Sequence, residues 1–349
     1  MATPDPQTTG LHILLKLAAL VIILAGIHNA SDIIVSLLLA IFFVIVLNPL
    51  VVMLIHRGLN RTLAITLVMI GMLIVLSSIL GILASSMNEF IATLPQYNQM
   101  LTHKIIELER QAPFLHLRLS PARLLEHIDT EHMMTFATTF MTQISGAMAS
   151  VLVLIMTVIF MLFEVRHIPY KLRFALNQPR LHIAGLHQAL RNVSRYLALK
   201  TLISLMTGLV LWLGLTLLHV QFALMWGVLG FLLNYIPNIG SIISAIPPVI
   251  QALLFNGMYE ALLVIALFGI VHMVLGNIME PRLMGHHLGM STLVVFLSLL
   301  FWGWLLGPVG MLLAVPLTSI CKIWMETTTG GRRLAVLLGT GRPKAPAIR

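Results

Sequence analysis

Residues 231–254 read FLLNYIPNIGSIISAIPPVIQALL, a run nearly as apolar as a membrane helix yet interrupted by Pro237, Gly240, Pro247 and Pro248. Proline inside a helix removes one backbone donor and crowds the carbonyl four residues back. Hydrocarbon offers no water to take up the freed groups, so irregular backbone at membrane depth survives only when buried in protein or lining a wet cavity. Helix breakers in the greasiest part of the chain therefore point to a pathway.

Composition fixes the environment. Of 349 residues, 58% are hydrophobic and only 9% charged, too few charges to cover a soluble globule of that size. Runs long enough to cross a hydrocarbon core of about 30 Å lie at 11–27, 33–55, 63–83, 146–165, 202–218 and 261–278. Residues 222–258 and 289–320 are apolar but broken. No Lys or Arg precedes the first run and no convincing small-residue cleavage site follows it, so it reads as a retained span rather than a leader. The expected fold is all-α: a polytopic integral membrane protein with about eight membrane segments, two of them broken or re-entrant, and a small extracytoplasmic helical insertion.

Charge orients this array. Arg57 and Arg61, the seven Lys and Arg between 166 and 200, and Lys322, Arg332, Arg333, Arg342, Lys344 and Arg349 belong on the cytoplasmic side. Residues 88–145 instead carry Glu89, Glu107, Glu109, Glu126, Asp129 and Glu131 against Lys104, Arg110, Arg118 and Arg123, and belong outside. Both termini then fall in the cytoplasm. The chain divides into N-terminal spans (1–87), the outer insertion (88–145), a fourth span (146–165), a cytoplasmic amphipathic connector (166–200), a core with broken helices (201–322) and a basic cytoplasmic tail (323–349). The formal charge of +9 follows from this topology, and basic residues dispersed along membrane edges argue against nucleic acid as a partner.

In the insertion, Tyr97, Leu101, Ile105 and Leu108 form a helical stripe, and Ser120-Pro121 and Asp129 read as helix starts. No proline occurs from 130 to 165, so one helix of roughly 50 Å is expected there, longer than the membrane is thick. It suits a scaffold or a substrate-binding domain. Pro179 starts the connector, whose Ile183, Leu186, Leu190, Val193 and Leu197 share a face, either against the membrane or as a lever into the fifth span.

Soluble-enzyme chemistry finds no foothold. Cys321 is the only cysteine, His286-His287 lack a third ligand at helical spacing, and no G-x-x-x-x-G-K-[ST] phosphate loop is present, so neither metal, cofactor nor ATP hydrolysis is expected. The breakers recur instead. PNIGSIISAIPP (237–248) and GPVGMLLAVP (307–316) each run proline, glycine, apolar stretch, proline, and so add Pro308, Gly310 and Pro316 to the candidate path. Paired interruptions mark the discontinuous helices that build midplane sites in transporters. Asn234, Asn238, Ser241 and Gln251 supply neutral donors and acceptors suited to a hydroxylated small molecule. Asn277, Glu280 and Arg282 close an apolar run, where Glu280 is either an ion or proton coupler or half of a Glu280–Arg282 pair that pins the turn.

LNYIPNIGSIISAIPP (233–248), GNIMEPRLMG (276–285) and STLVVFLSLLFWGWLLGPVGMLLAVPL (291–317) resemble signature segments of the autoinducer-2 exporter family. So do LNPLV (47–51), LPQY (94–97) and YLALKTLISLMTGL (196–209). The resemblance implies a secondary transporter of the bacterial inner membrane, a homo-oligomer and specifically a pentamer, moving autoinducer-2 outwards. By motif, the family's broken helix falls on Asn234, Pro237, Gly240, Pro247 and Pro248, and its acidic turn on Glu280, Pro281 and Arg282. Some relatives are sodium/proton antiporters, which gives the competing function.

The charge asymmetry is tested by Arg110→Cys on a Cys321→Ser background. An impermeant maleimide is expected to label it from the periplasmic side; labelling only from the cytoplasmic side would reverse the topology.

Overall fold

The structure, a computed structural model, describes residues 6–111, 130–165, 167, 171, 179–237, 239–284, 290–327 and 338–339. Among them the chain is helical, with one isolated bridge between Met290 and Gly339. The helices are α1 Pro6–Asn29, α2 Ser31–His56, α3 Arg61–Gln111, α4 Thr130–Glu164, α5 Pro179–Leu217, α6 Ala223–Leu233, α7 Ile239–Phe255 and α8 Met258–Val271. A π-helical segment, His272–Met279, then leads into α9 Glu280–Met284, and α10 is Thr292–Thr327. Among the described residues, five stretches are long and apolar enough to cross a bilayer: Ser31–His56, Arg61–Phe90, Arg191–Leu217, Met258–Leu283 and Thr292–Glu326.

Sequence with few interior prolines yields long helices. α4 covers the 130–165 helix expected from the sequence, and its 35 residues reach about 52 Å. The striped part of the insertion is no separate helix: it continues the third span as α3, 51 residues or about 76 Å. Likewise α5 starts at Pro179, as expected, and runs unbroken through the connector into the fifth span. The expected helix starts at Ser120-Pro121 and Asp129 lie outside the described residues, as do Asn238, His286-His287 and the end of the tail.

The chain forms two compact units. One comprises Met1–Pro49, Met156–Leu197 and His287–Arg349, the other Leu50–Ile155 and Ala198–His286. In the second unit Ile203, Leu211 and Leu215 of α5 pack with Met225 and Trp226 of α6, Val264 and Phe268 of α8 and Leu83 of α3. Backbones touch where α5 crosses α6. A Cβ on Gly208 would lie 2.8 Å from the Gly227 carbonyl oxygen, and one on Gly227 2.9 Å from that of Gly208. Such small-residue crossings drive helix association where lipid leaves no hydrophobic difference between contacts.

Each unit contains a helical hairpin at a broken segment. In the second unit α6 ends over 234–237, where Pro237 has no N–H to continue the ladder and also disfavours helix at the residue before it. α7 then returns antiparallel to α6, since Trp226 Nε1 donates to Gln251 Oε1 at 2.7 Å across 25 residues. In the first unit, Trp302 Nε1 donates to Thr318 Oγ1 at 2.9 Å. Sixteen residues of straight helix would separate their backbones by about 24 Å, so α10 folds back on itself. The reversal is at Gly307, φ 67° and ψ −155°, a left-handed conformation that glycine adopts without strain. α1 clasps this hairpin just before its tip: the His28 ring stacks on Trp304 at 5.7 Å, with Nδ1 3.2 Å from the Leu305 carbonyl oxygen.

The breakers thus divide by position. Pro237 ends a helix, and Pro308 opens the second arm of α10, where a missing N–H costs nothing. Pro247, Pro248 and Pro316 lie inside helices, contrary to the expectation that each interrupts one. There proline deletes only a single ladder bond, and a packed neighbourhood holds the helix together.

Gly240 and Gly310 occupy matching places. A Cβ on Gly240 would fall on the Leu233 carbonyl oxygen, and one on Gly310 on that of Trp302. Gly240→Ala and Gly310→Ala should each lower stability in detergent by about 1–3 kcal/mol or more through overpacking. Gly71→Ala, with nothing within 4 Å of the new methyl, is the control, and unchanged melting of both hairpin variants would contradict the close approach.

Candidate transport site

Along α5, Lys200, Thr201, Ser204 and Thr207 recur at spacings that share one helix face. That face meets the turn between α6 and α7. Asn234 Nδ2 donates to Ser204 Oγ at 3.0 Å, and the Tyr235 hydroxyl donates to Thr201 Oγ1 at 2.7 Å. Thr207 Oγ1 returns its proton to the Ile203 carbonyl at 2.9 Å. Ser204, Thr207 and Asn234 are buried, so each of these bonds replaces water that the group has lost.

Lys200 ends the same face. Its ammonium lies 2.8 Å from both oxygens of Glu280, with side chains only 3% and 19% exposed. Desolvating two charges costs several kcal/mol per ion, and attraction offsets that only in good geometry; the two-oxygen grip meets the condition. The sequence expectation of a Glu280–Arg282 pair is corrected here. Residues two apart on a helix point to different sides, and Arg282 is exposed while Glu280 turns to α5.

Between Val271 and Glu280 the helix widens into a π segment, a distortion frequent at functional sites. His272 opens it. The ring lies over Gly276, where a Cβ would sit 3.0 Å from Nδ1, and Nε2 is 3.3 Å from Ser241 Oγ in the first turn of α7. Ser244 Oγ donates to the Ser241 carbonyl at 3.0 Å. Thr207, Asn234, Ser241, Ser244 and His272, with an apolar wall including Leu211 and Phe268, line a small cleft with room for about one water molecule.

The sequence-derived residues are only partly brought together. Asn234 and Ser241 line the cleft, while Pro237 and Gly240 shape the turn beside it. Gln251 is buried away from the cleft lining, its Oε1 on Trp226 and its Nε2 without a hydrogen-bond partner among the described residues. Asn277 is exposed, and Pro308, Gly310 and Pro316 belong to the hairpin of the other unit. By sequence Lys200 falls among the cytoplasmic charges between 166 and 200, and His272 is not among the candidate residues. The signal for His272 was present: an ionisable residue within the apolar run 261–278 is a functional candidate by its cost alone.

Apolar spans, a broken-helix hairpin and a buried polar cleft at its turn define a membrane transporter. The chain belongs to the AI-2E family of transporters, whose family pattern, described as AI-2E family transporter, matches residues 17–330. It is 68% identical to YhhT of Escherichia coli (strain K12) over 345 residues, 99% of each chain. It is 48% identical to the AI-2 transport protein TqsA of the same strain over 338 residues, 97% of this chain and 98% of TqsA. A protein of Haemophilus influenzae is 41% identical over 332 residues, covering 93% and 95%. The family resemblance read from the broken-helix segments is thereby shown.

Removing one partner of the ion pair strands the other as a buried charge. Lys200→Met and Glu280→Gln should each destabilise by about 3–5 kcal/mol, and Lys200→Met/Glu280→Met should recover most of that. Arg282→Ala, at an exposed position, should cost under about 0.5 kcal/mol. Thermal or denaturant unfolding in detergent measures all four, and equal losses in the double and single variants would deny the pairing.

Proposed function

We propose that the protein is a secondary transporter that exports autoinducer-2 across the bacterial inner membrane. The observation that carries this is the cleft beside the α6–α7 turn, lined by hydroxyl and amide groups. A neutral, heavily hydroxylated solute loses its water on entering such a site, and Asn234, Ser241, Ser244 and Thr207 replace those hydrogen bonds. The likeness to TqsA, whose name is AI-2 transport protein, supplies the solute. A cleft with room for about one water is the closed form. Opening it requires the hairpin tip, with Pro237, Asn238 and Gly240, to move from the α5 face.

On this proposal both termini are cytoplasmic, about eight segments contact the membrane with the two hairpins re-entrant, and the working form is a homo-oligomer, the pentamer that the family resemblance implies. Pro247, Pro248 and Gln251 support the return arm of the first hairpin. Pro308, Gly310 and Pro316 join the path by likeness of construction. Asn277, Glu280 and Arg282 form the end of the helix that gates it. The competing sodium/proton antiporter needs oxygen ligands around a dehydrated cation, and both oxygens of Glu280 are held by Lys200.

Deleting the gene in its own bacterium should raise intracellular autoinducer-2 and lower the extracellular pool early in growth. Complementation with Asn234→Ala should fail, since one lost hydrogen bond costs about 1–3 kcal/mol, roughly five- to 150-fold in affinity. Unchanged pools together with sodium-dependent proton flux in liposomes would establish the antiporter instead.

A further inference from the structure

The cleft contains one ionisable side chain that binding a neutral solute does not require. We propose that His272 is the proton-binding residue of the transport cycle, taking up one proton for each solute molecule released; this rests on the reading of the protein as an exporter. The ring is partly buried at the start of the π segment, over Gly276, with Nε2 3.3 Å from Ser241 Oγ. It therefore faces the first turn of the return arm, one residue from the close contact of Gly240 with Leu233.

A neutral imidazole offers one donor and one acceptor, and an imidazolium offers two donors and no acceptor. Protonation moves a proton from hydronium to the unprotonated nitrogen, forming one N–H bond, breaking one O–H bond and releasing water. Nε2 of the charged ring can only donate, so the hydroxyl of Ser241, or of a solute in its place, must then accept from it. The two protonation states thus bind solute differently, the condition for exchange of one ligand against another.

Among the described residues, the charged groups acting on the ring are Lys200 of α5 and Glu280 of α9. The described side chains facing it across the cleft from α5, α6 and α7 are otherwise neutral: Thr207, Asn234, Ser241 and Ser244. With His272 neutral, the trio sums to zero. With His272 charged, one carboxylate faces two cations, which weakens its hold on Lys200 and so on the α5 face that supports the hairpin turn. The added proton acts at both ends of the polar face, on Ser241 directly and on Lys200 through Glu280.

The test uses the full-length protein in liposomes with the membrane potential clamped at zero and synthetic autoinducer-2 as probe. If one proton exchanges for one neutral solute, a lumen one pH unit more acid than the bath should concentrate autoinducer-2 inside about tenfold. His272→Gln, and His272→Asn beside it, should bring solute only to equal concentrations, at a reduced rate. A tenfold gradient in both variants, or a wild type that moves autoinducer-2 only to equal concentrations, overturns the proposal.

A second measurement does not depend on the solute. Ile242→Cys, at an exposed position on the hairpin, is labelled on a Cys321→Ser background across about pH 5 to 8, the range of histidine titration. Relative to the same cysteine in His272→Gln, which cancels the thiol's own titration, the rate should change at least fivefold along a one-proton curve. If autoinducer-2 is not moved at all but this curve is present, the export reading falls and the proton site stands. A flat ratio removes the proton site whatever the solute proves to be.

Discussion

Everything at the candidate site depends on one helix face meeting one interrupted turn. Breaking a helix among apolar spans releases backbone groups and leaves polar side chains without water, and the interruption persists only if protein supplies replacements. α5 supplies them. Thr201 and Ser204 take the hydrogen bonds of Tyr235 and Asn234, and Lys200 fixes the neighbouring helix through Glu280. The glycine crossing of α5 and α6 brings the two backbones close enough for these short side chains to reach.

The same arrangement has a dynamic consequence. Hydrogen bonds between neutral side chains contribute about 1 kcal/mol net each, so the turn is held by several small terms that a solute's hydroxyls can replace one at a time. The apolar packing of Ile203, Leu211, Met225 and Phe268 is of another order and stays as the rigid frame. On the proposed function, such a site would release its turn without unfolding its scaffold. The hairpin of the first unit has the same economy of construction, a glycine reversal with one arm's carbonyl against the other arm's glycine, though its polar contact is the single Trp302–Thr318 bond.

Much of this was legible in the sequence, for definite reasons. Apolar runs and missing prolines give α4 almost to the residue, and Pro179 gives the start of α5, because helix length and proline placement are local rules. Pro237 falls at the turn, and Asn234 and Ser241 lie in the lining of the cleft. Long-range pairing was not legible. The sequence offers Glu280 as an ion or proton coupler or as the partner of Arg282, two residues away, and the residue it pairs with lies 80 residues back on another helix. Pro247 and Pro248 look like breakers in isolation, yet α7 passes through them because packing overrides one lost bond apiece. Gly307 went unremarked beside its prolines, although a glycine before proline is the residue best able to reverse the chain.

The central claim is that the α6–α7 turn leaves the α5 face during transport. A short reversible cross-link between Ser204→Cys and Asn234→Cys, on a Cys321→Ser background, joins the two residues whose side chains meet at 3.0 Å. Cross-linked protein in liposomes should stop moving autoinducer-2 and recover its flux when the link is reduced. Full flux with the link intact would show that the turn stays in place while solute passes.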